Sequence, residues 1–186
     1  LLKHNNSGSL QWNKTVTRNV SYDSYSNYLH GQYLSVDAGG TYTIAGFDYQ
    51  IQTAEDFLCT RFSGSGAIQW TKLVSRSNNS YDFPSGSVMD ADRNIYVTGS
   101  GEGRDGGLNV YTVCYDKNGT KRWEDLYIQL NETGESSVIA VDNNQNSYVA
   151  IYAGGYNFNP IHAPGNPIYR MRLIKYDPNG NRLWDI

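Results

Sequence analysis

The stretch Val113-Cys114-Tyr115-Asp116-Lys117-Asn118-Gly119-Thr120-Lys121-Arg122-Trp123 decides how the chain folds. An apolar run stops at Asp116, passes through Asn-Gly and resumes toward Trp123. Asn-Gly between two β-prone runs is the strongest short-range signal for a hairpin. The same arrangement returns downstream as Ile174-Lys175-Tyr176-Asp177-Pro178-Asn179-Gly180-Asn181-Arg182-Leu183-Trp184. Upstream it is Leu2-Lys3-His4-Asn5-Asn6-Ser7-Gly8-Ser9-Leu10-Gln11-Trp12 and Thr60-Arg61-Phe62-Ser63-Gly64-Ser65-Gly66-Ala67-Ile68-Gln69-Trp70. A glycine stands four residues before every tryptophan, and the four tryptophans are separated by 58, 53 and 61 residues. Recurrence on such a period marks a tandem structural repeat.

A second block lies between the tryptophans. It reads Leu34-Ser35-Val36-Asp37 followed by Thr41-Tyr42-Thr43-Ile44-Ala45-Gly46, then Ser87-Val88-Met89-Asp90 followed by Asn94-Ile95-Tyr96-Val97-Thr98-Gly99. The third copy is Ile139-Ala140-Val141-Asp142 followed by Asn146-Ser147-Tyr148-Val149-Ala150-Ile151, with Ile151 in place of the glycine. Each period therefore holds four strand-prone segments, A to D, separated by turn chemistry. Asp37, Asp90 and Asp142 close A into B, because an Asp side chain bonds its own backbone and stabilises a turn. A four-stranded antiparallel unit of roughly 50 residues in tandem has the sequence form of a β-propeller blade.

Composition agrees with an all-β chain. Among 186 residues there are 19 Gly and 16 Tyr, while charged residues make up only 18%, a balance poor in helix formers. With 18 acidic against 15 basic groups the net charge is -3, which does not suit a nucleic-acid groove. No run approaches the roughly 18 apolar residues of a membrane-spanning helix, and no secretory leader opens the sequence. It begins Leu1-Leu2-Lys3, and its methionines are Met89 and Met171, so the expectation is a processed chain or a piece of a longer one. Six Asn-x-Ser/Thr sequons start at Asn5, Asn13, Asn19, Asn78, Asn118 and Asn131; they bear on glycosylation only in a eukaryotic secretory route. Cys59 and Cys114 have no Cys-x-x-Cys spacing, which argues against zinc, and the sequence leaves open whether they form a disulfide or are buried thiols.

The hairpins "YDPNGNRLW" and "YDKNGTKRW" and the block "MDADRNIYVTG" resemble the tandem β-propeller repeats of bacterial surface and secreted proteins, and are similar to quinoprotein-type blades. The resemblance covers essentially the whole chain. It implies an extracellular or cell-envelope location, and tryptophans Trp12, Trp70, Trp123 and Trp184 in structural roles, packed against the adjacent blade. His4 departs from the Phe or Tyr of the other copies.

The lettering gives a half blade over 1–20, comprising strands C and D, and full blades over 29–75, 84–130 and 136–186. Three and a half blades leave open edges, because closed propellers use four or more. The expected partners therefore include the rest of the same propeller or additional chains that close the ring.

In such a blade the A-to-B and C-to-D turns share one rim, and they are short and nearly constant here. The B-to-C and D-to-A connections form the opposite rim, vary in length and are rich in aromatic residues. Variable loops on a rigid scaffold are where binding residues concentrate. The candidate ligand-binding residues are thus Tyr22, Tyr25, Tyr28, Tyr49, Tyr81, Phe83, Arg104, Tyr156, Phe158 and His162. Tyrosines supply flat amphipathic area suited to a protein or glycan partner.

No catalytic constellation is legible. His4, His30 and His162 are scattered, no nucleophile elbow or phosphate loop is present, and Glu102 with Asp105 is a thin donor set for a cation. The Asp-x-Asn-Gly turns lack the alternating acids of a calcium loop. The readable A strands carry Ser35, Val36, Ser87, Val88, Ala140 and Val141, small and uncharged. No cofactor or metal is expected. The leading functional expectation is a non-catalytic binding or scaffold module. The alternatives are part of a quinoprotein-like or glycosidase-like propeller enzyme whose site lies largely outside these residues, and an architectural repeat of an adhesin or filament.

Overall fold

The computed structural model describes residues 1–15, 28–50, 54–74, 82–102, 108–128, 133–155 and 168–186. Among them the chain is all-β, with fourteen strands in four antiparallel sheets. The first sheet pairs β1 (Leu2–His4) with β2 (Leu10–Asn13). The second is the meander β3 (Tyr28–Val36), β4 (Tyr42–Gln50), β5 (Ala54–Phe62), β6 (Ile68–Val74). The third is β7 (Asp82–Met89), β8 (Ile95–Glu102), β9 (Leu108–Tyr115), β10 (Lys121–Tyr127). The fourth is β11 (Thr133–Val141), β12 (Ser147–Gly155), β13 (Ile168–Tyr176), β14 (Arg182–Asp185). Among the described residues no helix is long and apolar enough to cross a membrane.

Each four-stranded sheet packs a face on the next. Ala45, Phe57 and Cys59 of the second sheet meet Ile95, Val97, Tyr111, Val113 and Tyr115 of the third. Tyr96, Val110, Cys114, Trp123 and Tyr127 on the other face of the third sheet meet Val149, Ile151, Ile174 and Tyr176 of the fourth. The third sheet is thus covered on both sides, and its β9 is buried at every position from Asn109 to Tyr115. This explains why Val110-Tyr111-Thr112-Val113-Cys114 lacks the alternation of a half-buried strand. By contrast β14 is exposed throughout. Ser35 and Ser87, which the sequence places on neighbouring A strands, share a hydrogen bond at 3.0 Å across the second and third sheets.

Two irregularities recur in every four-stranded sheet. The first strand pair shifts register at Gly31/Tyr33, Pro84/Gly86 and Ser136/Val138, and the last pair at Arg61/Phe62, Lys121/Trp123 and Lys175/Tyr176. Such bulges increase local twist, and nothing in the residue pattern announces them.

The hairpins form where the sequence puts them, with a different turn centre. Gly119 N–H donates to the Asp116 carbonyl at 3.0 Å and Asp116 N–H to Thr120 at 2.9 Å, so Lys117 and Asn118 are the central residues. Only Gly119 has positive φ, at 81°. This is a three-residue loop ending in a left-handed residue rather than a two-residue Asn-Gly turn. Pro178 falls on the first central position of the equivalent turn, where its fixed φ suits the chain.

Candidate functional site

One edge of the sheets is built from a single turn design used seven times among the described residues: Asn5–Ser9, Asp37–Thr41, Ser63–Ala67, Asp90–Asn94, Asp116–Thr120, Asp142–Asn146 and Asp177–Asn181. In each, the first side chain accepts the backbone N–H four residues on, at 2.8 to 3.1 Å. Asp90 also accepts from Asn94 Nδ2 at 2.7 Å and from the Tyr96 hydroxyl at 3.0 Å, and Asp142 repeats this with Asn146 and Tyr148 at 2.8 and 3.0 Å. Asp37 instead faces Arg93 Nε at 3.2 Å and the buried Arg61 guanidinium at 3.9 Å. These carboxylates are committed to turns and to the seam between sheets, and this edge has little chemistry left over for a ligand.

The other connections join the opposite ends of the strands. They span 14–27, 51–53, 75–81, 103–107, 128–132 and 156–167. Of the sequence-predicted binding residues, Tyr22, Tyr25, Tyr81, Arg104, Tyr156, Phe158 and His162 lie outside the described residues. Tyr28 and Tyr49 are Cα partners at the ends of β3 and β4. Phe83 is 39% exposed on β7, with its ring edge-on to Phe47 at 5.7 Å between centroids. Near the same strand ends, Asp56 and Asp82 are both 1% exposed and engaged within the fold. Sequence reading missed them, because a carboxylate's burial depends on which sheet covers it.

Between the second and third sheets runs an open groove of about 640 Å³, lined by Lys72, Leu73 and Val74 of β6 and by Tyr111, Tyr115, Lys121, Glu124 and Leu126. Lys121 Nζ lies 2.6 Å from Glu124, and the Tyr111 hydroxyl donates to the same carboxylate. The Lys121 ammonium, with help from Tyr111, holds the Glu124 carboxyl below its ordinary 4.5. Strand alternation could have put Tyr111 and Glu124 on one face; that Lys72 of another sheet completes the groove was not legible. Because the folded pKa is depressed, the contribution of Glu124 is present above about pH 4.5 and is lost as pH falls through the folded value. Urea midpoints measured from about pH 6 down to about pH 3 are expected to fall less steeply in Glu124→Gln than in the parent.

The two cysteines are free and buried, which settles the question the sequence left open. Burial pushes both thiols up to about 12, so neither is a thiolate nucleophile near neutrality. A thiol reagent at about pH 8 is expected to label neither cysteine in the native chain and both after denaturation. Among the described residues no group of three His, Cys, Asp or Glu side chains is placed to hold a metal ion.

Three of the four tryptophans bridge sheets. Trp70 Nε1 donates to the Lys117 carbonyl of the next sheet at 3.1 Å, and Trp123 stacks on Tyr176 of the next sheet at 5.5 Å. Trp12 stacks on Tyr42 at 5.4 Å. Trp184 lies 6.2 Å from Tyr148 of its own sheet and is 38% exposed. No family model matches the chain, and a search of curated proteins finds no significant match.

Proposed function

We propose that the chain is a non-catalytic binding or scaffold module made of β-propeller blades, akin to the bacterial tandem repeats it resembles, and displayed outside the cell or in its envelope. The propeller reading draws support from successive four-stranded meanders, each packed on the next, with the same bulges and the same turns. It calls for further blades, from the same propeller or from other chains, to close a ring.

The observation that carries the binding reading is the contrast between the two edges. Among the described residues seven turns of one length and one hydrogen-bond design occupy one edge, while the opposite strand ends are joined by connections that range from three residues, 51–53, to fourteen, 14–27. Uniform turns serve the scaffold; variable, Tyr-rich connections are the usual carriers of recognition. The partner is a protein or glycan surface that tyrosine rings can cover, with no nucleic acid called for by a net charge of -3.

The test is affinity electrophoresis of the native chain through gels cast with soluble β-glucan, xylan, mannan or chitosan, alongside an overlay on immobilised matrix proteins. Retention is expected in at least one case, to be lost in a Tyr22→Ser/Tyr25→Ser/Tyr28→Ser variant and kept in Lys72→Ala, which alters the groove and the contact with Gly119 but not the variable connections. Loss in Lys72→Ala alone would move the site to the groove and overturn the rim assignment. No retention on any surface would leave the architectural repeat as the better reading.

A further inference from the structure

The groove between the second and third sheets has a twin that is shut. Each lies between two four-stranded sheets, and the repeat matches them residue by residue. At the seam of the third and fourth sheets, Asp125 of β10 takes both arms of Arg182 at 2.8 Å and accepts the Tyr176 hydroxyl at 2.8 Å. Two residues on, Tyr127 is 6% exposed, with the Arg182 guanidinium 4.9 Å above its ring, and its hydroxyl donates to Asp185 at 2.8 Å. An acid and a phenol, two apart on one face of an extended strand, thus seal that seam.

At the seam of the second and third sheets both residues differ. Lys72 holds the place of Asp125, Val74 that of Tyr127, Lys121 that of Arg182 and Glu124 that of Asp185. The pair across the seam is therefore lysine with lysine and cannot form an ion pair. Lys121 turns to Glu124 of its own strand at 2.6 Å, and the hydroxyl that serves this carboxylate comes from Tyr111 and not from β6. Lys72 has no ion pair or hydrogen bond among the described residues, and its stem runs along Gly119, with Cε 3.0 Å from the Cβ position there. Where the ring of Tyr127 stands in the twin, the shorter Val74 leaves a groove of about 640 Å³, in the size range of ligand sites.

The differences between the seams say what fits. The unanswered charge is positive and calls for a carboxylate between Lys72 and Lys121. The missing volume is that of an aromatic ring. β6 is the last strand of its sheet, so its outer backbone edge has no ladder partner among the described residues and can take an added strand. The rings that line the groove, Tyr111 and Tyr115, are 4% and 5% exposed and offer no face on which a sugar could stack.

We propose that this groove is a second binding site, for an extended acidic peptide that presents a carboxylate to Lys72 and Lys121 and an aromatic ring over Val74, as Asp125 and Tyr127 do at the next seam. The site is separate from the variable connections, and its test uses a small peptide in solution, so either reading can fail without the other.

The experiment is fluorescence anisotropy of the whole chain with the labelled peptide Gly-Asp-Leu-Tyr-Gly, which copies Asp125-Leu126-Tyr127 of the shut seam. A dissociation constant of about 0.1–1 mM is expected at low salt. Lys72→Met removes the charge and keeps the stem against Gly119; it is expected to weaken binding about tenfold, as is Asn for Asp in the peptide. Val74→Tyr supplies the ring from within and is expected to abolish binding. The Tyr22→Ser/Tyr25→Ser/Tyr28→Ser variant is expected to bind the peptide as the parent does. Unchanged urea midpoints show that the variants fold, and Lys72→Met alone decides if Val74→Tyr lowers its midpoint. A parent that binds no peptide up to about 5 mM, equal binding of the Asn peptide, or binding indifferent to the groove substitutions overturns the proposal. Binding of polygalacturonate in place of the peptide would assign the groove to an acidic glycan and overturn it too.

Discussion

Replacing Gly99 by alanine is expected to destabilise the chain by about 4 kcal/mol or more, a large share of the stability of an ordinary domain. Gly99 lies within β8, and an added Cβ would stand 2.1 Å from Phe57 Cζ and from the Phe83 carbonyl oxygen, and 2.7 Å from Pro84 Cα. The side chain of Phe57 has no room to rotate away, being 2% exposed and held in the seam between the second and third sheets. The carbonyl belongs to the paired strand β7, so relief there requires opening the ladder. The repeat shows why glycine is needed at this place. At the next junction the positions of Phe57 and Gly99 are held by Val110 and Ile151, both 1% exposed in one core cluster. Large meets none at one seam, and two middle-sized residues meet at the other. A Phe57→Leu change is therefore expected to recover about 1 kcal/mol of the Gly99→Ala loss and not all of it, since the backbone clash remains. Urea midpoints at constant slope measure both effects; an additive double mutant would refute the coupling.

Gly180→Ala is expected to cost about 3 kcal/mol, with Gly8→Ala as its internal control. Both glycines have left-handed backbone, φ 84° and 79°, and alanine there costs about 1–2 kcal/mol. Only at Gly180 does the new methyl also meet Trp123, with Cγ and Cδ2 at 2.6 Å. Trp123 is 8% exposed and stacked on Tyr176, so it moves only by loosening the seam between the third and fourth sheets, an overpacking cost of about 1–3 kcal/mol. The difference between the two variants isolates the tryptophan contact from the backbone strain. Equal losses would mean that the tryptophan contact adds nothing to stability.

Acid sensitivity follows the same turns. Asn146 and Asn181 side chains donate to Asp142 and Asp177 and hold both carboxyls below the usual range. A depressed carboxyl supports the fold above its unfolded pKa and stops doing so as pH falls, which adds to the loss expected from Glu124.

The all-β class, the strand count per repeat and the hairpins were legible because period, apolar runs and Asx-Gly turns are local signals. Asp116, Asn118 and Gly119 mark the place of their hairpin within a few residues, and Asp37, Asp90 and Asp142 were readable as turn residues for the same reason. The turn centre was misplaced by one residue, since Asn-Gly serves two loop lengths and the flanking strands choose between them. The groove of Tyr111, Glu124, Lys121 and Lys72 was invisible, because its walls come from two sheets whose facing depends on packing. Phe83 was singled out as a loop aromatic, and the structure gives it a second contact, with Phe47, that spacing does not reveal.

What the sequence by itself determined is the repeat: where chain direction reverses, and which residue recurs at which position, because both are written in side chains a few residues apart. What only the tertiary structure decided is which recurring positions are filled. Trp123 and Trp184 hold the same place in the repeat, yet one is buried under Gly180 and the other is exposed. That difference depends on whether a neighbouring sheet is present to exclude water from an identical local structure, and hydrophobic burial is a property of the neighbour and not of the residue.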